Sequence, residues 1–241
     1  MPRLRRSDPS EPGISRKRRG RGFAYFEPSG ARITESETLE RIRHLAVPPA
    51  WTEVWISQDP LGHIQAVGND AAGRRQYLYH IRWRERRDQA KFERMIEFGR
   101  SVPAMRKAAA RHLALKGYPK DRVLACAVRL LDLGFFRVGC EVYAEENDTY
   151  GLATMQKRHV KLNGGVVTFD YPAKGGKRRL QVVVDADVYR LIKGLKGRSG
   201  GGPDLLAYKE AGRWVDVRSS DINEHIKSLT GGEFTSKDFR T

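Results

Sequence analysis

Three cations in this chain have the residue types and settings to do chemistry. They are Arg137 in the run Phe135-Phe136-Arg137-Val138-Gly139, Lys174 in Lys174-Gly175-Gly176-Lys177, and Arg240, with Lys237 three residues before it. A guanidinium is a planar fork that matches two non-bridging phosphate oxygens. Arg137, at the buried end of an apolar helix, is therefore either a clamp for a phosphodiester or a structural arginine paired with a carboxylate such as Glu141. A lysine on a tight, glycine-rich hairpin projects into a groove with little entropy left to lose, a placement that suits a general acid, although such a lysine can equally be only solvated. Lys237 and Arg240 fall on one face of a short helical start, where two like charges are best explained by a shared anion.

A second cluster occupies residues 70–80, where cations, an amide and aromatics interleave. In a strand Gln76 points away from Tyr77 and Tyr79, which leaves one aromatic face and one polar or basic face. Arg74, Arg75, Gln76, Tyr77 and Tyr79 are accordingly read as duplex contacts. No Gly-x-x-x-x-Gly-Lys-Ser/Thr run is present, which argues against an ATP-driven motor. Residues 145–148, the densest acidic stretch, read as a solvated loop and not as a site for paired divalent ions. Phosphoryl chemistry here is expected to run on cationic side chains, with no metal and no other cofactor.

The whole composition points the same way. Lys plus Arg number 45 against 29 Asp plus Glu, a formal charge of +16 with a pI near 10.1. Such a balance is the footprint of a polyanion binder, with double-stranded DNA as the leading partner. A membrane surface fits less well, because the charge is spread over many segments and not gathered on one amphipathic helix. No apolar run approaches the ~20 residues of a bilayer span, and no hydrophobic leader follows the N-terminus. The expectation is a soluble, monomeric, cytoplasmic protein associated with the nucleoid, with Cys126 and Cys140 as core thiols.

The elements that must position these groups divide the chain in three. Residues 1–22 carry eight arginines and lysines among Pro, Ser and Gly, and are expected to form a mobile basic arm. Residues 23–90 favour strands at 23–26, 54–56, 63–67 and 75–80 with one helix at 38–45, a small antiparallel sheet with a helix against it. Residues 91–241 turn helical. Phe92, Met95, Ile96 and Phe98 mark one segment, Met105, Ala109 and Leu113 the next, and Asp121 opens a third helix leading to Gly134. A three-stranded meander at 159–185, turning at Asn163-Gly164-Gly165 and at the Lys174 hairpin, interrupts the helices, which return at 186–195 and 219–229. The fold class is α+β, a small β-rich unit followed by a larger, mainly helical one.

Several ordered blocks resemble type IB DNA topoisomerases of the compact bacterial and poxviral kind: LERIRHLAVPPAWTEVWI at residues 39–56, GHIQAVGNDAAGRRQYLYH at 62–80, FFRVG at 135–139, ENDTYGLATMQKRHV at 146–160, AKGGK at 173–177 and KDFRT at 237–241. The resemblance covers nearly the whole chain. It implies an N-terminal clamp domain and a catalytic domain that close around duplex DNA, and a tyrosine nucleophile that forms a 3′-phosphotyrosyl link. It also implies Arg137 and Arg240 on the non-bridging oxygens and Lys174 as the acid for the departing 5′ oxygen. The family's tyrosine and its histidine or asparagine lie beyond the position of Arg240, and none of this chain's nine tyrosines matches that place. The chain is therefore expected to be a truncated form that binds DNA without cutting it. Two other readings stand beside this one: a tyrosine recombinase, against which Lys237 stands where recombinases have histidine, and a noncatalytic duplex-binding protein.

Overall fold

The computed structural model describes residues 2–134 and 136–240, and every side chain among them except those of Tyr143 and Glu145. Phe135 and Thr241 of the blocks quoted above therefore lie outside the described residues. The chain forms two compact units, Met1–Phe92 and Glu93–Thr241; the sequence reading had placed the division at residue 90.

The first unit is a five-stranded antiparallel sheet in the order β2-β1-β3-β4-β5. Its strands are β1 (Ile14–Arg19), β2 (Gly22–Phe26), β3 (Thr52–Ile56), β4 (Ile64–Asn69) and β5 (Arg75–Tyr79), and helix α1 (Ser36–His44) packs on it. Burial alternates along β5, whereas β4 is buried at five successive positions. Ile14, Val54, Ile56 and Ala66 meet Ile42 of α1 in one core.

β1 corrects the expectation of a mobile arm over residues 1–22. Ile14 is buried opposite Ile56, and Arg5 lies alongside Gly62, with its N–H donating to the Leu61 carbonyl at 2.9 Å. Like charge does not keep this segment in solvent, because Arg16 is committed to structure. Its guanidinium donates to the carbonyls of Val47 (3.1 Å), Pro48 (3.0 Å) and Trp51 (2.7 Å) and lies 4.2 Å over the Phe23 ring.

The second unit is built around α3 (Lys120–Gly134), which is buried at eight positions from Val123 to Leu131. Where two helical segments were expected before it, one helix runs unbroken, α2 (Ile81–Leu113), with Pro103 on its exposed side. Phe92, Met95 and Ile96 are exposed, and the buried stripe starts only at Phe98 and continues through Met105, Ala109 and Leu113. After α3 come α4 (Glu141–Asn147), the antiparallel meander β6 (Val160–Asn163), β7 (Val166–Ala173) and β8 (Lys177–Val184), then α5 (Ala186–Lys196). α4 takes in most of the stretch read as a polar loop, and Asp148 closes it in the left-handed conformation. A hairpin that the sequence reading missed, β9 (Ala207–Glu210) and β10 (Arg213–Asp216), precedes α6 (Ser219–Thr230). Cys126 is fully buried, its thiol pushed up to about 12 by burial, whereas Cys140 is exposed, since it sits past the helix at the N-cap of α4.

Arg16 provides a test of the first unit. Arg16→Ala leaves three carbonyls without their donor and is expected to lower stability by about 1–3 kcal/mol. Arg18→Ala, on the exposed end of β1, is expected to stay within about 0.5 kcal/mol. Urea unfolding followed by the fluorescence of Trp51 and Trp55 checks this; equal midpoints for the two variants would restore the mobile-arm reading.

Candidate phosphate-binding site

Arg137 follows α3 in an irregular segment that is held by its backbone. The Arg137 carbonyl accepts from Leu152 N–H at 2.8 Å and the Val138 carbonyl from Ala153 N–H at 2.7 Å. Two glycines make that approach possible. Gly139 has φ +92°, and a Cβ on Gly151 would lie 2.3 Å from the Gly139 Cα and 2.8 Å from the Arg137 carbonyl oxygen. Tyr150 N–H donates to the Pro172 carbonyl at 2.8 Å, so the same loop is tied to the end of β7. Beneath it Phe136 packs edge-on against Phe169 at 4.9 Å, and Gln181 of β8 donates to the Gly134 carbonyl while its side-chain oxygen accepts from the Tyr171 hydroxyl.

Lys174 is the first residue of the β7–β8 turn, whose Gly175 and Gly176 both adopt positive φ as a turn of this length requires. Arg240 ends a short 3-10 turn, Asp238–Arg240. That turn is anchored to α2: Arg94 makes a two-pronged bond to Asp238 (2.7 and 3.0 Å) and donates to the Glu233 carbonyl (2.7 Å), while Phe98 meets both Phe234 and Phe239. Burial pushes the Asp238 carboxyl up, but Arg94 and the Thr235 N–H outweigh it, and it sits below the usual carboxylate range.

These three elements bring Arg137, Lys174 and Arg240 together around one cavity of about 270 Å³, walled also by Val138, Gly139, Cys140, Thr149 and Tyr150. An adjoining cavity of about 480 Å³ shares Arg137 and Lys174 and adds Lys177, Arg178 and Arg179. Burial first, then the like charges of Arg137 and Arg179, hold the Arg240 guanidinium below its usual proton affinity. Arg240 reaches the carbonyls of Phe136 and Ser236 only at 3.4 Å.

Arg137 itself differs from the reading made of it. It is exposed, and Glu141 is not its partner, because Glu141 accepts from the N–H (2.8 Å) and hydroxyl (3.1 Å) of Ser219 at the start of α6. Among the described residues no carboxylate pairs with Arg137, Lys174 or Arg240. Cations grouped around a small cavity suit an anion with several oxygens.

The other predicted residues divide. Lys237 is exposed and is not among those lining either cavity. On β5, Arg75, Tyr77 and Tyr79 share the outer face: the two rings, 41% and 40% exposed, stack at 6.1 Å, and the Arg75 guanidinium lies 6.0 Å from the Tyr77 ring. Arg74 and Gln76 are instead engaged by Asp70, which accepts from both at 2.9 Å and is held down to about 2, chiefly by Arg74. The second face of β5 is not a free basic face, since Leu78 turns into the core. Arg179 was missed, although the alternation of β8 places it with Gln181 and Val183 on the inner side. Tyr150 was missed as a cavity residue too. Its hydroxyl donates to Asp148 at 2.5 Å, and that bond, followed by burial, raises the phenol above its usual value.

Guanidinium and ammonium groups gathered at a cavity in a chain of charge +16 are the arrangement expected of a polyanion binder. Comparison with known proteins gives the same class more narrowly. The model of the bacterial DNA topoisomerase IB N-terminal domain matches residues 22–70, and that of the eukaryotic DNA topoisomerase I catalytic core matches residues 80–241. The DNA topoisomerase 1B of Acanthamoeba polyphaga mimivirus is 37% identical over 235 residues, which cover 95% of this chain and 69% of that protein. The DNA topoisomerase I of Monkeypox virus is 23% identical over 147 residues, 58% of this chain and 46% of the viral one. DNA topoisomerase 1 of Daucus carota is 28% identical over 153 residues, 63% of this chain but 18% of the plant protein. The chain belongs to the type IB DNA topoisomerase family.

Two tests follow from the way the site is held. Gly151→Ala, which must push the Arg137 segment away, is expected to cost about 1–3 kcal/mol; Gly99→Ala, in α2 with open space around it, is expected to gain about 0.5–1 kcal/mol. A Gly151→Ala midpoint equal to that of the unsubstituted chain contradicts the close approach. Burial also holds the imidazoles of His159, on which the Tyr150 ring packs at 4.4 Å, and of His225 below their ordinary 6.5. Depressed values mean that the neutral rings stabilise the fold above 6.5 and that this stability is lost as pH falls below it. Thermal melts taken from about pH 7.5 down to about pH 5 are expected to decline, and to decline less steeply in His159→Gln.

Proposed function

We propose that this chain binds duplex DNA and that its larger cation cluster grips the phosphodiester at which its family cuts. In that reaction a tyrosine oxygen attacks phosphorus and the bond to the 5′ oxygen breaks. The free strand swivels, relaxing supercoils, and the 5′ hydroxyl then displaces the tyrosine. Arg137 and Arg240 hold the non-bridging oxygens as charge builds on them, and Lys174 gives the departing 5′ oxygen its proton. The phosphotyrosyl ester conserves the energy of the bond, so resealing needs no nucleotide, and the preorganised cations do the work without a metal. The protein acts as a monomer on chromosomal DNA in the cytoplasm. The carrying observation is that Arg137, Lys174 and Arg240 line one cavity without a carboxylate partner among the described residues.

No tyrosine among the described side chains is assigned as the nucleophile. Among the described side chains Tyr150 is the tyrosine that lines the cavity, and its proton is committed to Asp148. These residues by themselves therefore hold the duplex without cutting it. Arg75, Tyr77 and Tyr79 of the first unit supply a second contact, cationic and aromatic, to the same kind of partner.

Duplex binding by the full chain, followed by fluorescence anisotropy over a salt series, tests this. Arg137→Ala, Lys174→Ala and Arg240→Ala are each expected to reduce the slope of log K against log salt by about 1, as for one phosphate contact. Supercoiled plasmid is expected to remain supercoiled. In a form that carries the family's tyrosine, the same substitutions lower cleavage far more than affinity. Relaxation by the chain as it stands, abolished by Tyr150→Phe, would overturn the assignment of the nucleophile; salt slopes unmoved by all three substitutions would overturn the site.

A further inference from the structure

Away from the cation cavity, three helices of the second unit converge on a group of a different kind. His112 in the last turn of α2, Asp121 in the first turn of α3 and His225 within α6 each offer one ligand atom, and these atoms lie within 4.8 Å of one another. The His225 side chain is 5% exposed, and its Nε2, like Nδ1 of His112, is buried without a hydrogen-bond partner. The two rings stand 5.4 Å apart, and Asp121 Oδ1 is 3.9 Å from His225 Nδ1, close enough to compensate charge but too far for a hydrogen bond. Buried polar nitrogens are almost always satisfied, so two unpartnered imidazole nitrogens on adjacent rings, with a carboxylate beside the other nitrogen of His225, call for a missing partner.

We propose that His112, Asp121 and His225 bind one divalent first-row transition ion of the zinc class, with water in the fourth position. Two imidazoles and a carboxylate suit such an ion and not Mg²⁺ or Ca²⁺, which prefer all-oxygen sites. Ligands about 2.1 Å from a tetrahedral metal stand roughly 3.4 Å from one another, so modest side-chain rotations close the site. The surroundings fit. Asp121 is 61% exposed and gives the ion an entry, while the neighbouring Lys120 is paired with Asp221 at 2.6 Å. Arg122 donates to the carbonyls of Leu113 (3.0 Å) and Gly117 (2.6 Å), fixing the connection between the two helices that carry His112 and Asp121. Burial and the neighbouring His112 keep the His225 imidazole inclined to the neutral form that a metal needs, against the pull of Asp121.

Bound there, the ion staples α2 and α3 to α6, the helix whose chain continues through Gly231 to the segment bearing Arg240. The inference does not depend on the DNA reading. Sequence spacing concealed it, because the three ligands come from separate helices.

The test uses the full chain, free of any histidine tag and stripped with chelator, titrated with Co²⁺ and then Zn²⁺ and melted with and without Zn²⁺. Expected are one equivalent of Co²⁺ with tetrahedral visible absorption, its displacement by Zn²⁺, and a melting temperature that Zn²⁺ raises and Mg²⁺ does not. Asp121→Asn at an exposed position and His112→Gln at a half-buried one, each checked for an unchanged fold by circular dichroism, are expected to weaken Zn²⁺ binding about ten-fold or more. Absence of stoichiometric binding by the unsubstituted chain overturns the proposal. So does binding that both folded variants retain unchanged, or a rise in melting temperature that Mg²⁺ reproduces.

Discussion

Like charges do not gather unless something holds them, and at Arg137 the holding is done by main-chain hydrogen bonds. The carbonyls of Arg137 and Val138 are fastened to the amides of Leu152 and Ala153, across a contact of Gly139 with Gly151 that no side chain would permit. With the backbone fixed, the Arg137 guanidinium is presented to the cavity beside Arg240, whose proton affinity is lowered in part by that proximity. Bringing them together costs repulsion, which an anion bound there would remove.

The same logic explains why the supports are so different from the groups they support. Arg94, Arg106 and Arg178 each make two-pronged bonds to carboxylates, of Asp238, Asp132 and Asp170 respectively. They are compensated and structural. Arg94 and the aromatic cluster of Phe98, Phe234 and Phe239 bring the Arg240 turn back onto α2; the Arg178–Asp170 pair straps the two strands that present Lys174. Asp238, Asp132 and Asp170 are thus committed to the frame, and among the described residues no carboxylate pairs with Arg137, Lys174 or Arg240.

Much of this was legible beforehand, and what was not has physical reasons. The α+β class, the antiparallel sheet with its helix and the three-stranded meander follow from periodicity and turn residues, and Gly175-Gly176 announced the hairpin that carries Lys174. Arg137 and Arg240 were legible as residue types in a basic chain. Their company was not: Glu141 sits four residues from Arg137 in sequence yet belongs to Ser219, because α4 and α6 meet in space. Residues 14–19 were misread for the same reason, since composition counts charge while Arg16 spends it on three distant carbonyls. Arg74 and Gln76 share Asp70 across their own turn, a local pairing that leaves the Arg74 side chain exposed. For Arg16 and Glu141 the partner lies far along the chain, and local sequence carries little of such pairing.

The central claim is that Arg137, Lys174 and Arg240 serve a single phosphate. A crystal structure of the chain bound to a short DNA duplex tests it most directly. The account predicts one phosphodiester with oxygens within about 3 Å of all three head groups. Three head groups resting on three different phosphates would contradict it and leave a basic duplex-binding surface in place of a reaction site.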